Sequence, residues 1–309
     1  MNLSTLSKLT EDEAREMLER IRWPNGPVCA HCGCVENITK IKSAKRPGLY
    51  RCGDCKKQFS LKVNTVMHDS HLPIRTWLMA FSIMCSAKKG ISALQLHRQL
   101  GFGSYKTAWH LAHRIRHAMK QEPLKGLLKG EVEVDETYIG GKPRKYSKEK
   151  RKPGRGTKKV PVVALVERDG RVRAHVVPNV SANVLKSAIF EMVDTSSAIM
   201  TDEFGAYKGI GAQFAGGHHV VKHAKGEYKR GKASTNQAES FFALLKRGIT
   251  GSFHSVSKKH LNKYCDEFAF RWSFRKIDDA DRTVKAILAS EGKRLTYKTP
   301  VADIRNAPF

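Results

Sequence analysis

Three carboxylates and two pairs of cysteines are the residues whose types and spacing could do chemistry. Asp135 closes the alternating run Glu131-Val132-Glu133-Val134-Asp135, the period-two pattern of a half-buried strand, and Gly140-Gly141 supply turn residues just beyond it. A second short apolar run, Ala198 to Met200, ends at Asp202 with Gly205 after it. The third acid, Glu239, lies in STNQAESFFALLKRGI, where Ser234 or Thr235 can cap a helix. In that helix Asn236, Glu239, Ala243 and Lys246 recur at three- and four-residue spacing and share a face, leaving Phe241, Phe242, Leu245 and Ile249 to bury. Three acids drawn together repel and raise one another's pKa, and bound cations relieve that repulsion. The neighbouring acids Glu133, Glu136 and Glu203 read as scaffold around these positions.

Cys29-Ala-His-Cys32 and Cys52-Gly-Asp-Cys55 are two C-x-x-C knuckles with hairpin-like sequence between and after them. They offer four thiolates for one tetrahedral zinc, and a fully protein-ligated zinc is structural because it has no open position for water. Cys34 reads as a bystander, since the second knuckle repeats C-x-x-C and not C-x-C; His31 is the other ambiguous neighbour. Cys85 and Cys265 stand alone in apolar helical patterns, so the cysteines do not form a disulfide framework.

The chain has 309 residues and a formal net charge of +27, with Lys and Arg spread along its whole length. A polyanion, nucleic acid first, is the expected partner. An anionic membrane surface would also suit this charge, but no long apolar span and no secretory signal are legible, so no membrane partner is expected and the expected location is cytoplasmic, at the nucleoid. Residues 3–20 read as one amphipathic helix, broken by Trp23-Pro24-Asn25-Gly26-Pro27. From Pro73 the pattern is helical, and residues 91–119 read as a helix-turn-helix with Ser104 capping the second helix. That helix would place Tyr105, Lys106, His110 and Arg114 against DNA. The basic, aperiodic stretch 141–159, with Lys142, Arg144 and Lys145, reads as an arm that neutralises phosphates beside the site. A β-hairpin across Arg168-Asp169-Gly170-Arg171, a helix from about Ser181 and an aromatic-rich helix carrying Leu261, Tyr264, Cys265, Phe268 and Trp272 complete the pattern.

The motifs VEVDETYIGGK, TDEFGAY and TNQAESFFALLKRGITGSFHSVSKKHLNKYCDEFAFR, in that order behind two cysteine knuckles, resemble the ISXO-like insertion-sequence transposases of bacteria. The resemblance covers nearly the whole chain. It implies an α/β RNase H-like DDE domain, a mixed sheet flanked by helices, preceded by a zinc ribbon and a small helical module. The expected division is 1–72 for the N-terminal helix and ribbon, 73–122 for the helical module, 127–290 for the catalytic domain and 291–309 for a tail. It further implies that Asp135, Asp202 and Glu239 hold two Mg²⁺ or Mn²⁺ ions for DNA strand cleavage and transfer, with Lys246 near a phosphate. In this family the third position can be Asn or Glu, so Asn236 stays open as the alternate or as a supporting partner of Glu239. Assembly as a homo-oligomer on the DNA ends of the element is implied as well. His254 and His260 receive no role. Two other readings stay open: a DNA-binding regulator with an inactive domain, and a structure-specific nuclease that cuts without joining.

Overall fold

A computed structural model describes residues 2–42, 47–121, 126–141, 159–222, 227, 229–231 and 233–297. They fall into two units: the described part of residues 1–87, 91–119 and 277–309, and that of residues 88–90 and 120–276. Among the described residues no helix is long and apolar enough to cross a membrane.

The first unit opens with two helices where one was expected, α1 (Leu3–Lys8) and α2 (Glu11–Arg22). Thr10 separates them. Its hydroxyl accepts from the Glu13 N–H at 3.2 Å while the Glu13 carboxylate accepts from the Thr10 N–H at 2.7 Å, a capping box that starts a new helix in preference to continuing the old one. The strands β1 (Ile38–Ile41), β2 (Leu49–Cys52) and β3 (Gln58–Ser60) form an antiparallel ribbon. Tyr50 of β2 anchors it, its ring 5.4 Å from that of Trp23 and 5.7 Å from that of Phe59. Next come α3 (Ile74–Ser86), α4 (Ala93–Leu100), closed by Gly101 in the left-handed region, and α5 (Tyr105–Met119). Because α3 is apolar nearly all round, burying Trp77, Leu78, Phe81 and Met84 among others, it must be covered on every side. That requirement explains a departure from the expected division. The helix Asp279–Leu288, expected within 127–290, packs on α3 and α2 of this first unit through its apolar face, which includes Ala286 and Ile287.

In the second unit β4 (Glu131–Ile139), β5 (Val160–Glu167) and β6 (Val172–Val176) form an antiparallel meander. The chain then crosses through α6 (Ala182–Met192) to β7 (Ala198–Asp202), which joins β4 in parallel, and β8 (His218–Val221) adds in parallel beyond it. The order β6-β5-β4-β7-β8 is the mixed sheet of the RNase H-like fold that the resemblance implied. β8 was not legible in the sequence, because His218-His219-Val220-Val221 is short and half polar. One sheet face, with Val132, Val134, Leu165 and Ile199, packs on Leu185 and Ile189 of α6. The other, with Val162, Ala164, Val166 and Val172, packs on α7 (Asn236–Gly248) and α8 (Lys258–Ser273) through Phe241, Phe242, Leu245 and Phe268. Gly248 allows the close approach of these two helices, since a Cβ there would lie 2.2 Å from the Phe268 ring.

Candidate active site and metal centre

The catalytic candidates lie on the sheet face that α7 covers. Asp135 does not end its strand as the sequence pattern suggested; β4 continues to Ile139 because it keeps pairing with β5, where Asp135 stands opposite Ala164. What ends near Asp135 is the partner on the other side. The β4–β7 ladder sets Glu133 beside Met200, and two residues further along both strands come Asp135 and Asp202, the last residue of β7. Residues at the same level of neighbouring parallel strands point to the same face about 4.8 Å apart, so the fold itself pairs the two aspartates.

Each aspartate is held by one oxygen. Asp135 Oδ1 accepts from the Glu136 N–H at 2.8 Å, and Asp202 Oδ1 accepts from the Phe204 N–H at 3.0 Å. Burial pushes the Asp135 carboxyl up to about 7, and the charges of Glu136, Asp202 and Glu239 push the same way. Glu239 on the first turn of α7 is therefore electrostatically coupled to Asp135. It is exposed, as are Asn236, Ala243 and Lys246, so the helix face expected from their spacing is the uncovered one, while Phe241, Phe242, Leu245 and Ile249 are buried. Thr235 donates its hydroxyl to Glu239 Oε1 at 3.5 Å, and the Asn236 N–H donates to Ser234 Oγ at 3.2 Å. Lys246 lies two turns beyond Glu239, about 10 Å along the helix axis. His254 follows a π-helical turn, Ile249–Phe253, with a positive φ of 61°, and is exposed.

Sequence reasoning undervalued two residues around these acids. Glu133, on the acidic face of β4, is 1% exposed and meets the start of α7. Tyr207, the last residue of the TDEFGAY motif, is fully buried and donates its hydroxyl to Glu136 Oε2 at 2.7 Å, tying the loop after Asp202 to β4. Burial, and then Glu136, push the Tyr207 phenol far above its ordinary range, so it stays a donor. The i, i+2 spacing of Glu133 and Asp135 was the available signal for the first of these; nothing local marks Tyr207 as a partner of β4.

In the first unit the four sulfurs of Cys29, Cys32, Cys52 and Cys55 lie within 4.8 Å of one another. Cys29 Sγ is 3.7 Å from Cys55 Sγ, and Cys32 Sγ is 3.7 Å from Cys52 Sγ. A regular tetrahedron with zinc–sulfur bonds of about 2.3 Å has sulfurs about 3.8 Å apart, so the donor set and its size fit zinc. The Cys55 N–H, against the cost of burial and helped by the Asp54 N–H, holds the Cys52 thiol down to about 7. Cys34 falls instead in a group with Cys52 and Asp54, and the Asp54 carboxylate beside it pushes its thiol up. His31 Nε2 lies 3.2 Å from the Gln58 carbonyl oxygen. Among the described residues, no three of the site carboxylates meet as closely as the sulfurs do.

The expected DNA-reading residues separate. Tyr105, 49% exposed, and Lys106 are on the surface at the start of α5, where the Lys106 N–H donates to Ser104 Oγ at 3.2 Å. Arg114 is not available: it is 7% exposed, its guanidinium donates to the His68 carbonyl and sits 5.3 Å from the centre of the Trp77 ring. From Leu111 onward α5 turns inward to form part of the core, and the arginine goes with it. His110 is half-buried with its ring 5.5 Å from that of Tyr297, so it too faces protein. Lys142, Arg144 and Lys145 lie outside the described residues, as does most of the basic stretch.

Comparison with known proteins gives two family matches: an ISXO2-like transposase domain over residues 127–273 and a transposase zinc-ribbon domain over residues 9–58. A Halobacterium salinarum protein, described as an uncharacterized protein in transposable element ISH50, is 30% identical over 275 residues, covering 85% of this chain and 91% of that protein. Among solved structures, a pre-cleavage Mos1 transpososome matches at 13% identity over 96% of this chain and 98% of that one, with a TM-score of 0.26 that carries no argument about fold.

Proposed function

The chain belongs to the ISXO2-like transposase family, and on that premise we propose that it is the DNA transposase of an insertion sequence, cutting and joining the ends of its element. The observation that supports the reading is the β4–β7 register, in which Asp135 and Asp202 each lie two residues beyond the paired Glu133 and Met200, together with the charge of Glu239 acting on Asp135. Asp135, Asp202 and Glu239 would hold two Mg²⁺ or Mn²⁺ ions, which when bound activate water or a DNA 3′-hydroxyl and stabilise the leaving oxygen. The fit rests on donor chemistry and charge. Hard cations take carboxylate oxygens, and a cation would offset the burial and the neighbouring negative charges that lift the Asp135 carboxyl.

The backbone N–H groups of Glu136 and Phe204 each orient one carboxylate oxygen of Asp135 and Asp202 and leave the other for a ligand. Thr235 orients Glu239 in the same way, which favours Glu239 over Asn236 as the third ligand. Lys246, on the same exposed face of α7, would contact a DNA phosphate. Cys29, Cys32, Cys52 and Cys55 would hold a structural zinc, and the ribbon with the exposed start of α5, at Tyr105 and Lys106, would grip the element ends. Assembly as a homo-oligomer on paired DNA ends, in the nucleoid, belongs to the same proposal.

Strand transfer of a labelled element end into plasmid with Mg²⁺ tests it. Joined products from the parent, lost in Asp135→Ala, Asp202→Ala and Glu239→Ala but kept in Asn236→Ala, are expected. Loss in Asn236→Ala with survival of Glu239→Ala would move the third ligand to Asn236, and cleavage without joining would make the chain a nuclease.

A further inference from the structure

Glu133 precedes Asp135 by two residues on the same face of β4 and is buried. Its Oε2 accepts from the backbone N–H of Gln237 at 2.8 Å and of Ala238 at 3.2 Å, and its Oε1 accepts from Arg168 at 3.2 Å. Gln237 and Ala238 are the second and third residues of α7, where N–H groups have no acceptor within the helix. The residue that would ordinarily supply one does not. Thr235, at the N-cap position, makes no capping bond, and its hydroxyl is turned toward Glu239. A strand carboxylate 104 residues earlier in the sequence caps the helix instead. The hairpin turn between β5 and β6 reinforces the arrangement, because the Asp169 N–H donates to Gln237 Oε1 at 3.1 Å and Arg168 pairs with both Glu131 and Glu133.

We propose that Glu133 is a positioning residue of the catalytic site. By binding the first turn of α7 it fixes the height and rotation of that helix against β4, so that Asn236 and Glu239 stand opposite Asp135 and Asp202. A carboxylate oxygen that accepts two backbone N–H groups at a helix N-terminus lies where the helix dipole favours an acidic group, and Arg168 pairs with the other oxygen. This inference rests on the reading of Asp135, Asp202 and Glu239 as cation holders.

The experiment uses the full chain without DNA. Mn²⁺ binding by electron paramagnetic resonance, amide hydrogen exchange over residues 235–240 and thermal unfolding are compared for the parent, Glu133→Gln, Glu133→Ala and Glu131→Gln. Both Glu133 variants should lose protection at Gln237 and Ala238 and bind Mn²⁺ roughly ten- to a hundredfold more weakly, the range found when a group that orients metal ligands is removed. Glu133→Gln, which keeps a carbonyl acceptor, should be the milder. Glu131→Gln breaks an Arg168 pair without touching α7 and should leave Mn²⁺ affinity and the α7 amides as in the parent. Parent-like Mn²⁺ affinity in a folded Glu133→Gln and Glu133→Ala would overturn the proposal and reduce Glu133 to a stabilising cap; if Glu133→Ala does not fold, Glu133→Gln decides. A parent that binds no Mn²⁺ sinks the cation-holder reading instead, and the exchange at Gln237 and Ala238 still decides whether Glu133 holds the helix: unchanged protection overturns the proposal in either case.

Discussion

Asp135 is a charge the fold resists until something offsets it. Its carboxyl, at 3.8 in an open chain, is pushed up to about 7 by burial and by Glu136, Asp202 and Glu239. Below the lower value both folded and unfolded chains are protonated there, and the group does not affect stability. Between the two values the unfolded chain releases the proton while the folded one keeps it, so stability falls as pH rises, and the penalty is complete above the folded value. At roughly 1.4 kcal/mol per unit it amounts to a few kcal/mol. Asp135→Asn should therefore raise the melting temperature at pH 8 in the absence of Mg²⁺ and change it far less at pH 4, close to the unfolded value. Added Mg²⁺ should stabilise the parent more at pH 8 than at pH 5.5, and the variant little at either. Calorimetry showing equal Mg²⁺ effects at both pH values would remove Asp135 from the cation site. Arg114 carries the contrasting lesson at this scale. On a helical wheel it shares the charge and spacing of a DNA contact, and only the burial of the second half of α5 identifies it as a packing residue.

Elements were legible where a local pattern decides them and obscure where distant packing does. The strands β4 and β5 and the apolar stripe of α7 follow from alternation and from helical spacing. The capping box at Thr10 was also present in the sequence as T-x-x-E, but the amphipathic spacing on either side of it masked the break. The placement of Asp279–Leu288 could not be read at all, since the demand it satisfies arises from α3, almost two hundred residues earlier, as the partners Cys85 and Arg282, 197 residues apart, illustrate. The ribbon is the opposite case. Three short strands cannot bury enough apolar surface alone, and four thiolates at tetrahedral spacing supply what the core lacks. Cys52→Ser should bring zinc content, measured by atomic emission, close to zero and release the amides of β1 to β3 to exchange while β4 to β7 stay protected. In the parent, zinc affinity should weaken as pH falls, because binding displaces thiol protons, and more steeply below about 7, where the Cys52 thiol is protonated as well. Full zinc occupancy in the Cys52 variant would transfer that ligand position to Cys34.

Across the whole molecule, charge decides what the folded units meet. The excess of 56 Lys and Arg over 29 Asp and Glu gives +27, and a sheet core, a ribbon or a helical hairpin needs none of it. The order of the chemical motifs could be read from the chain because the residues of each motif are close in sequence; that Asp135 and Asp202 come to the same level needed the strand register, which no single motif contains. Net charge is read without any structure, and it predicts a salt law. Each phosphate neutralised by Lys or Arg releases counterions, so the logarithm of DNA affinity should fall linearly with the logarithm of salt concentration, by about 0.9 for each contact on duplex DNA. For six to ten contacts that is a loss of roughly 10³ to 10⁵ between 50 and 200 mM salt. Two substitutions calibrate the slope. Lys106→Ala removes an exposed cation at the start of α5 and should lower the slope by about 1 on every DNA sequence tried. Arg114→Ala removes a buried one, so it should lower the melting temperature and leave the slope alone. Fluorescence anisotropy across a salt series reads both. A shallow slope in the parent would mean that most of the +27 faces solvent without meeting phosphate, and a slope lowered by Arg114→Ala in a folded protein would mean that α5 turns outward when DNA binds.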